Sequence, residues 1–413
     1  LLGTFFLVSA LPLALFFFII SIIISCINNK SNPFNDRWNY PLFISSGIII
    51  FSSLKNALID FQLETSMVKS TIIFSGIINW IPLFFSFWAF QVYLSSETQR
   101  KLFIRYLIAG SIPLLISCIL QYWFNVYGPF ETMNGLIVWY QKPITGINGV
   151  SGLFSNQNYN GFWLSVIWPF SIFLLRDQNK KTSKIFLITI SILIFIFCIF
   201  SNSRSSLLSL LFSIPLIFNI KLLILFISFI SFILFIYFSL TNKLYINQNL
   251  LINIIPVSLI QKLSLLEYKS LMEIPRLEIF SKAILLISNK PLLGWGASTF
   301  ASIYALKGGL NRITHTHNIG LELAYNFGIP LAITLCSFSI YLIFKCWEIV
   351  LTKKNIRNLN SYWIISLTIV LIWHINDITY FDGKISILIW ILLAGAKCII
   401  EENKKIKRIN SNN

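Results

Sequence analysis

Three histidines and two arginines stand where the chain changes character, and these side chains could do chemistry. His315 and His317 lie in THTHN, at the junction between a long mixed stretch and an apolar run. As a metal pair they are poorly spaced: residues at i and i+2 diverge on a helix, and no Cys or carboxylate lies beside them in sequence to complete a shell. No zinc site is therefore expected. Arg204, in SNSRSS, sits between two apolar runs with no room for a long loop, so its guanidinium either snorkels to the interface or reaches a polar cavity. Arg276 opens PRLEIFSKAILLISN, and a cation there either attracts a lipid phosphate or clamps a diphosphate with its planar fork. His374, beside Asn376 and Asp377, fits a satisfied structural histidine. The six cysteines lie within or beside apolar runs without a C-x-x-C pair, which fits buried small hydrophobes and neither a metal site nor a disulfide framework.

The elements that position these residues must be membrane helices. Of 413 residues, 56% are hydrophobic and 11% charged, whereas soluble domains carry about 25% charged residues. Runs such as 71–94 and 222–240 approach or exceed the roughly 20 residues that cross a ~30 Å hydrocarbon core, and they are apolar on every face, unlike the alternating strands of a barrel. The sequence predicts an all-α, polytopic transmembrane helix bundle with spans near 3–26, 41–56, 71–95, 103–126, 160–175, 185–200, 205–218, 222–240, 318–344, 361–375 and 384–400. The net charge of +17 is spread over short loops, which fits membrane topology and gives no reason to expect a nucleic-acid partner.

Orientation follows from the Lys/Arg bias of those loops. Lys30, Arg37, Arg100, Lys101, Arg105, Arg176, Lys180, Lys181, Lys184, Lys221, Lys345, Lys353, Lys354, Arg357 and the tail mark the cytoplasmic side. The organisation expected is an N-terminal bundle over 1–240, a long outward loop over 241–317, C-terminal spans over 318–400 and a basic, polar tail over 401–413 without fixed structure. Within the loop, Leu277, Phe280, Ala283, Ile284 and Ile287 recur at helical spacing after Pro275, predicting an amphipathic helix near the outer membrane surface. The first apolar stretch lacks the basic region and cleavage site of a signal peptide. Eleven spans would put Leu1 outside, so a further upstream span is expected, the alternative being a tight hairpin around Pro12 within 1–26.

Four stretches resemble the O-antigen ligase and polymerase family of bacterial envelope enzymes. They are SGLFSNQNYNGFW at 151–163, with Gly152, Asn156 and Asn158; SNSRSS at 201–206; IPRLEIFSKAILLISNKPLLGWGASTF at 274–300, with Gly294 and Gly296; and HNIGLELAYNFGIP at 317–330, with Asn318 and Gly328. Gln157 departs from the family's usual Pro, Gly149 from a frequent Arg, and Leu331 from a frequent second Gly. The resemblance implies a GT-C-like, metal-independent glycosyltransferase without a cofactor, working on the outer face of the bacterial inner membrane. Its donor would be a glycan on undecaprenyl diphosphate, and its acceptor a lipid A-core sugar or a growing glycan. It further implies His317 as general base for the acceptor hydroxyl, or as a hydrogen-bond donor to the diphosphate. Arg204, Arg276 and Asn318 become diphosphate-binding residues, and the glycines and asparagines structural ones. A flippase or transporter is the rival from another class; the inverted repeats and mid-membrane charges it requires are not evident.

The charge asymmetry predicts that a cysteine at Lys307, in a chain freed of native cysteines, reacts with an impermeant thiol reagent from outside, and one at Lys354 only after permeabilisation. The reverse labelling pattern would overturn the topology.

Overall fold

The structure, a computed structural model, describes residues 1–28, 33–60, 70–145, 148–218, 275–309, 313–352 and 358–412. The predicted span 222–240, residues 241–274 of the outward loop, and Lys30, Lys221, Lys353, Lys354 and Arg357 lie outside these residues. The described chain is an all-α polytopic bundle in which seven helices are long and apolar enough to cross a membrane.

The first predicted span is not one helix. α1 (Leu2–Phe6) folds back along α2 (Leu11–Asn28): Phe6 stacks on Phe17 with centroids 6.1 Å apart, and a Cβ on Gly3 would meet the Phe18 ring at 2.7 Å. In a continuous helix residues fifteen apart would be separated by about 22 Å, so residues 1–28 form the tight hairpin that turns just before Pro12. α3 (Tyr40–Lys55) and α4 (Ser75–Ala89) follow. The predicted span 103–126 is also divided, into α5 (Glu97–Gly110) and α6 (Ile112–Trp123), at Ser111 and just before Pro113. A two-stranded hairpin, β1 (Phe130–Thr132) with β2 (Ile137–Trp139), then projects from the end of α6.

α7 (Gln157–Asp177) is the axis of the bundle, buried at every residue from 160 to 174 and packed against α5, α8 (Lys181–Phe200) and α9 (Arg204–Phe218). Lipid tails are as apolar as leucine, so helices in a bilayer associate through close packing and polar hooks. Here the hooks are indoles: Trp163 Nε1–H donates to Ser111 Oγ and Trp373 Nε1–H to Ser165 Oγ, both at 3.0 Å.

α10 (Pro275–Asn289) has the predicted limits but a different buried face. Ile279, Ala283, Leu286 and Ile287 are buried, whereas Leu277 and Ile284, expected beside Ala283, are exposed. The sequence has apolar residues on two sides of this helix, and only packing selects the inner one. After α11 (Phe300–Leu306), the predicted span 318–344 is broken into α12 (Ile319–Phe327) and α13 (Ile329–Thr352). α14 (Leu359–Asn376) packs against α7, and α15 (Gly383–Asn412) carries the tail beyond Glu401 as helix, where no fixed structure was expected.

The charges predicted to be cytoplasmic gather at one end and find acids there. Arg100 pairs with Glu402 and Lys101 with Asp177, and Lys397, from within the predicted span 384–400, joins Asp36, each at 2.5 Å. Trp38 Nε1–H adds a bond to Glu401 Oε1 at 3.1 Å.

The break between α12 and α13 is a clamp. Trp295 N–H donates to Tyr325 O at 2.7 Å, Gly296 N–H to Asn326 O at 3.0 Å and Ile329 N–H to Pro291 O at 2.7 Å. Two backbones this close leave no room for side chains: a Cβ at Gly328 would lie 2.1 Å from Leu292 O, and one at Gly294 2.4 Å from Tyr325 O. Both glycines also have positive φ, +95° and +66°. Gly328→Ala is expected to cost at least about 1–3 kcal/mol from backbone strain alone, read as a lower unfolding temperature of the detergent-solubilised protein; an unchanged temperature would show that the clamp is not rigid.

Candidate functional site

The site is assembled at the end opposite the basic loops, from the N-terminus of α7 upward. Asn156 caps α7, its Oδ1 accepting the Asn158 N–H at 2.8 Å, and this turns the Asn158 amide outward from the first helical turn. Asn158 Nδ2–H donates to Asp377 Oδ2 at 3.0 Å. Asp377 sits at the C-terminal end of α14, where its backbone N–H donates to Trp373 O at 2.8 Å. The other carboxylate oxygen, Oδ1, accepts the Ile378 N–H at 2.9 Å and faces His317 Nδ1 at 2.8 Å.

Burial pushes the Asp377 carboxyl up, but the hydrogen bond and charge of His317, with the Ile378 N–H, more than offset this, and it is held below the usual carboxylate range. An ionised carboxylate can only accept, so Nδ1 of His317 carries the proton of this contact, and the tautomer it selects in a neutral ring is the one with the lone pair on Nε2. His317 itself has φ +56°, a left-handed conformation costly for a residue with a Cβ. The loop that imposes it is tied on both sides. Thr316 N–H donates to Glu322 Oε2 at 3.0 Å, and Thr316 Oγ1 to Asn318 O at 2.9 Å. Asn318 caps α12, its Oδ1 accepting the Leu321 N–H and its Nδ2–H donating to Ile375 O, both at 3.0 Å.

His315 packs its ring against His317, with centroids 4.3 Å apart, and its Nδ1 accepts the His317 backbone N–H at 3.3 Å. Burial, with the neighbouring His317, pushes the His315 imidazole down to about 4, so it is neutral at physiological pH.

The four sequence motifs meet in two groups. In the first, Gly149 and Gly161 let the 201–206 turn approach α7: a Cβ at Gly149 would lie 2.3 Å from the Ser201 carbonyl, and one at Gly161 2.8 Å from Ser201 Oγ. Val150 N–H donates to Phe200 O at 2.9 Å. Gly152, at φ +54°, fits against Leu114 and Cys118, and its N–H donates to Gln121 Oε1 at 2.9 Å. Arg204 starts α9 from this turn and is exposed. Asn158 and Gly161 lie on one face of α7, about 4.5 Å apart along its axis, so the Arg204 turn is anchored one helical turn from the residue that holds Asp377. In the second group, α10 and α12 both run into the Gly294–Gly328 clamp at their C-terminal ends, and the half-buried Arg276 and His317 both lie at the ends away from it. Neither arginine side chain makes a hydrogen bond or ion pair with a described residue, and none joins them to His317 or Asp377.

Three expectations change. A carboxylate does complete a His–His–acid cluster: His315, His317 and Asp377 offer ligand atoms all within 4.8 Å of one another. The argument against a metal from the absence of a neighbouring acid therefore fails. Asn318, placed by the sequence to orient the imidazole or a phosphate, has its amide engaged in capping and in tying α12 to α14, and the residue that orients the His317 imidazole is Asp377. His374 is only half satisfied: Nδ1 bonds Val370 O at 2.8 Å, while the buried Nε2 finds no partner among the described residues. Asp377 was missed as a site residue because its partners are 60 and 219 positions away. Its one local signal was a carboxylate in the short outward link 376–383.

Fold and site together define an integral membrane protein with a histidine–carboxylate pair at one end of its helix bundle. The O-antigen ligase family model matches residues 189–336, from α8 into α13, and supports membership of the O-antigen ligase and polymerase family of glycosyltransferase-like enzymes. Arg204, Arg276, His317 and Asn318 fall within the matched stretch; Gly152, Asn156, Asn158 and Asp377 fall outside it. A search of curated proteins finds no match.

His315 is neutral when folded and titrates near 6.5 when unfolded, so its contribution to stability is complete above that pH and is lost as pH falls towards 4. The unfolding temperature in detergent should therefore fall more steeply between pH 6.5 and 4.5 for the native chain than for His315→Gln; equal slopes would contradict this.

Proposed function

We propose that the protein transfers a glycan from undecaprenyl diphosphate to a hydroxyl of a lipid A-core sugar, on the periplasmic face of the inner membrane. The observation that carries this reading is the 2.8 Å contact between His317 Nδ1 and Asp377 Oδ1 at the outward end of the bundle. An imidazole whose Nδ1–H is held by a carboxylate presents Nε2 as a base of fixed direction.

In the proposed reaction Nε2 accepts the proton of the acceptor hydroxyl as its oxygen bonds to the anomeric carbon. The bond from that carbon to the diphosphate oxygen breaks, and its electron pair leaves with the diphosphate. The negative charge developing there calls for cations in a low-dielectric site, which Arg204 and Arg276 supply through bidentate hydrogen bonds. Asn318 acts through position, holding the start of α12 against α14. Exposed Leu277, Ile284 and Leu285 on the outer side of α10 suit contact with the lipid in which the carrier chain lies. The family match supports a ligase or a polymerase alike, and the donor chemistry is the same for a lipid A-core acceptor and a carrier-linked glycan.

With purified variants and a polyprenyl diphosphate donor, His317→Ala and Asp377→Asn are expected to lose roughly 10²–10⁴-fold in rate with donor binding largely kept. Arg204→Ala and Arg276→Ala should lose both binding and rate, and the lysine variants should recover little if the contacts are bidentate. Activity should persist in chelator. Near-native transfer by His317→Ala would remove the base assigned here, and loss of transfer in chelator would overturn the metal-free chemistry. In cells, a deletion should leave bare lipopolysaccharide core with polymer retained on its carrier; core bearing one repeat would mark a polymerase instead.

A further inference from the structure

His315 has no part in the transfer chemistry, yet it completes a group of three potential ligands whose donor atoms lie within 4.8 Å of one another. We propose that His315, His317 and Asp377 form an inhibitory zinc site, so that the atoms that poise the base for transfer also bind a divalent ion that disables it. The inhibitory half of this inference rests on the proposed function; the binding half does not.

Zinc takes nitrogen and oxygen ligands at about 2.0–2.2 Å and accepts three protein ligands with the fourth position open. The cluster's third member is already fixed. Asp377 Oδ2 is held by the Asn158 amide at 3.0 Å and Oδ1 by the Ile378 N–H at 2.9 Å, the outer hydrogen bonding that orients a carboxylate ligand. His315 Nδ1 is engaged only by the long, 3.3 Å bond from the His317 N–H, so a metal displaces a weak interaction there. Glu322, buried one turn into α12 with Oε2 on the Thr316 N–H, ties down the backbone between the two histidines.

The conflict with transfer lies in the His317 ring. Its Nδ1 carries the proton shared with Asp377. Zinc bound at Nδ1 requires that lone pair, so the proton moves to Nε2. The imidazole remains neutral and no proton is released overall, but Nε2 becomes an N–H donor and can no longer accept the acceptor's proton.

The test uses purified, chelator-treated, full-length protein with zinc alone as the probe. Binding is read by competition with a fluorescent zinc chelator. The native chain should bind one more zinc ion than His315→Ala or Asp377→Ala, with folding checked by gel filtration in detergent. Transfer by the native chain should be inhibited by zinc, and the half-inhibitory concentration should rise at least about tenfold in His315→Ala and His315→Gln, each compared with its own zinc-free rate. Equal stoichiometry in the native and variant chains, or inhibition unchanged by both His315 substitutions, would overturn the proposal. Zinc binding without any glycosyl transfer would uphold the binding site and remove the enzymatic reading instead.

Discussion

The structure at the end opposite the basic loops depends on one buried carboxylate. Asp377 receives hydrogen bonds from Asn158 at the start of α7, from His317 before α12 and from the backbone of its own link to α15. Those groups come from three separate regions of the chain. A charge with so little access to water is stable only when paired and hydrogen-bonded, and removing one partner of such a pair typically costs about 3–5 kcal/mol. The carboxylate therefore does more than fix the tautomer of a histidine. It fixes the ring of a histidine whose backbone the Thr316 contacts hold in a left-handed conformation, and it draws three helix ends together at one point.

A second constraint operates on the backbone. The Gly294–Gly328 clamp joins the segment after α10 to the break between α12 and α13 through three main-chain hydrogen bonds. Because the clamp is made of carbonyls and amides, its spacing is set by hydrogen-bond geometry and not by side-chain volume. This explains why glycines lie at both of its contact points. It also turns what looked like one long span into a short helix, with His317 just before its cap, and a long membrane helix, so the histidine can be held at an angle independent of α13.

Two departures from the family pattern prove to be one structural feature. Gly149 occupies the place of a frequent arginine and Gln157 that of a proline, and in sequence they look like separate losses. In the fold, the Gly149 N–H donates to Gln157 Oε1, while the missing side chain at 149 makes room for the Ser201 carbonyl. Neither an arginine at 149 nor a proline at 157 could reproduce that arrangement, since the first would collide with Ser201 and the second has no side-chain acceptor. The turn that carries Arg204 is thus seated against α7 by the same pair of residues.

The sequence by itself determined the environment, the helical class, the two-ended distribution of charge and the candidate residues His317, Arg204 and Arg276. These follow from local properties: run length against bilayer thickness, the rarity of charge in apolar segments, and short motifs readable within a dozen residues. It left 1–28 between a lone span and a hairpin around Pro12, and it did not show the breaks at Ser111 and Gly328, where the apolar pattern runs on; the break at Gly328 is fixed by hydrogen bonds with residues 291–296. It gave α10 as an amphipathic helix without deciding which of two apolar stripes is buried, a choice that only packing makes. Asp377 was legible as a residue but not as a member of the site, since a hydrogen bond between positions 60 or 219 apart leaves no periodicity. Tertiary structure alone decided that the histidine has a carboxylate, because that pairing exists only where the ends of α7, α12 and α14 converge.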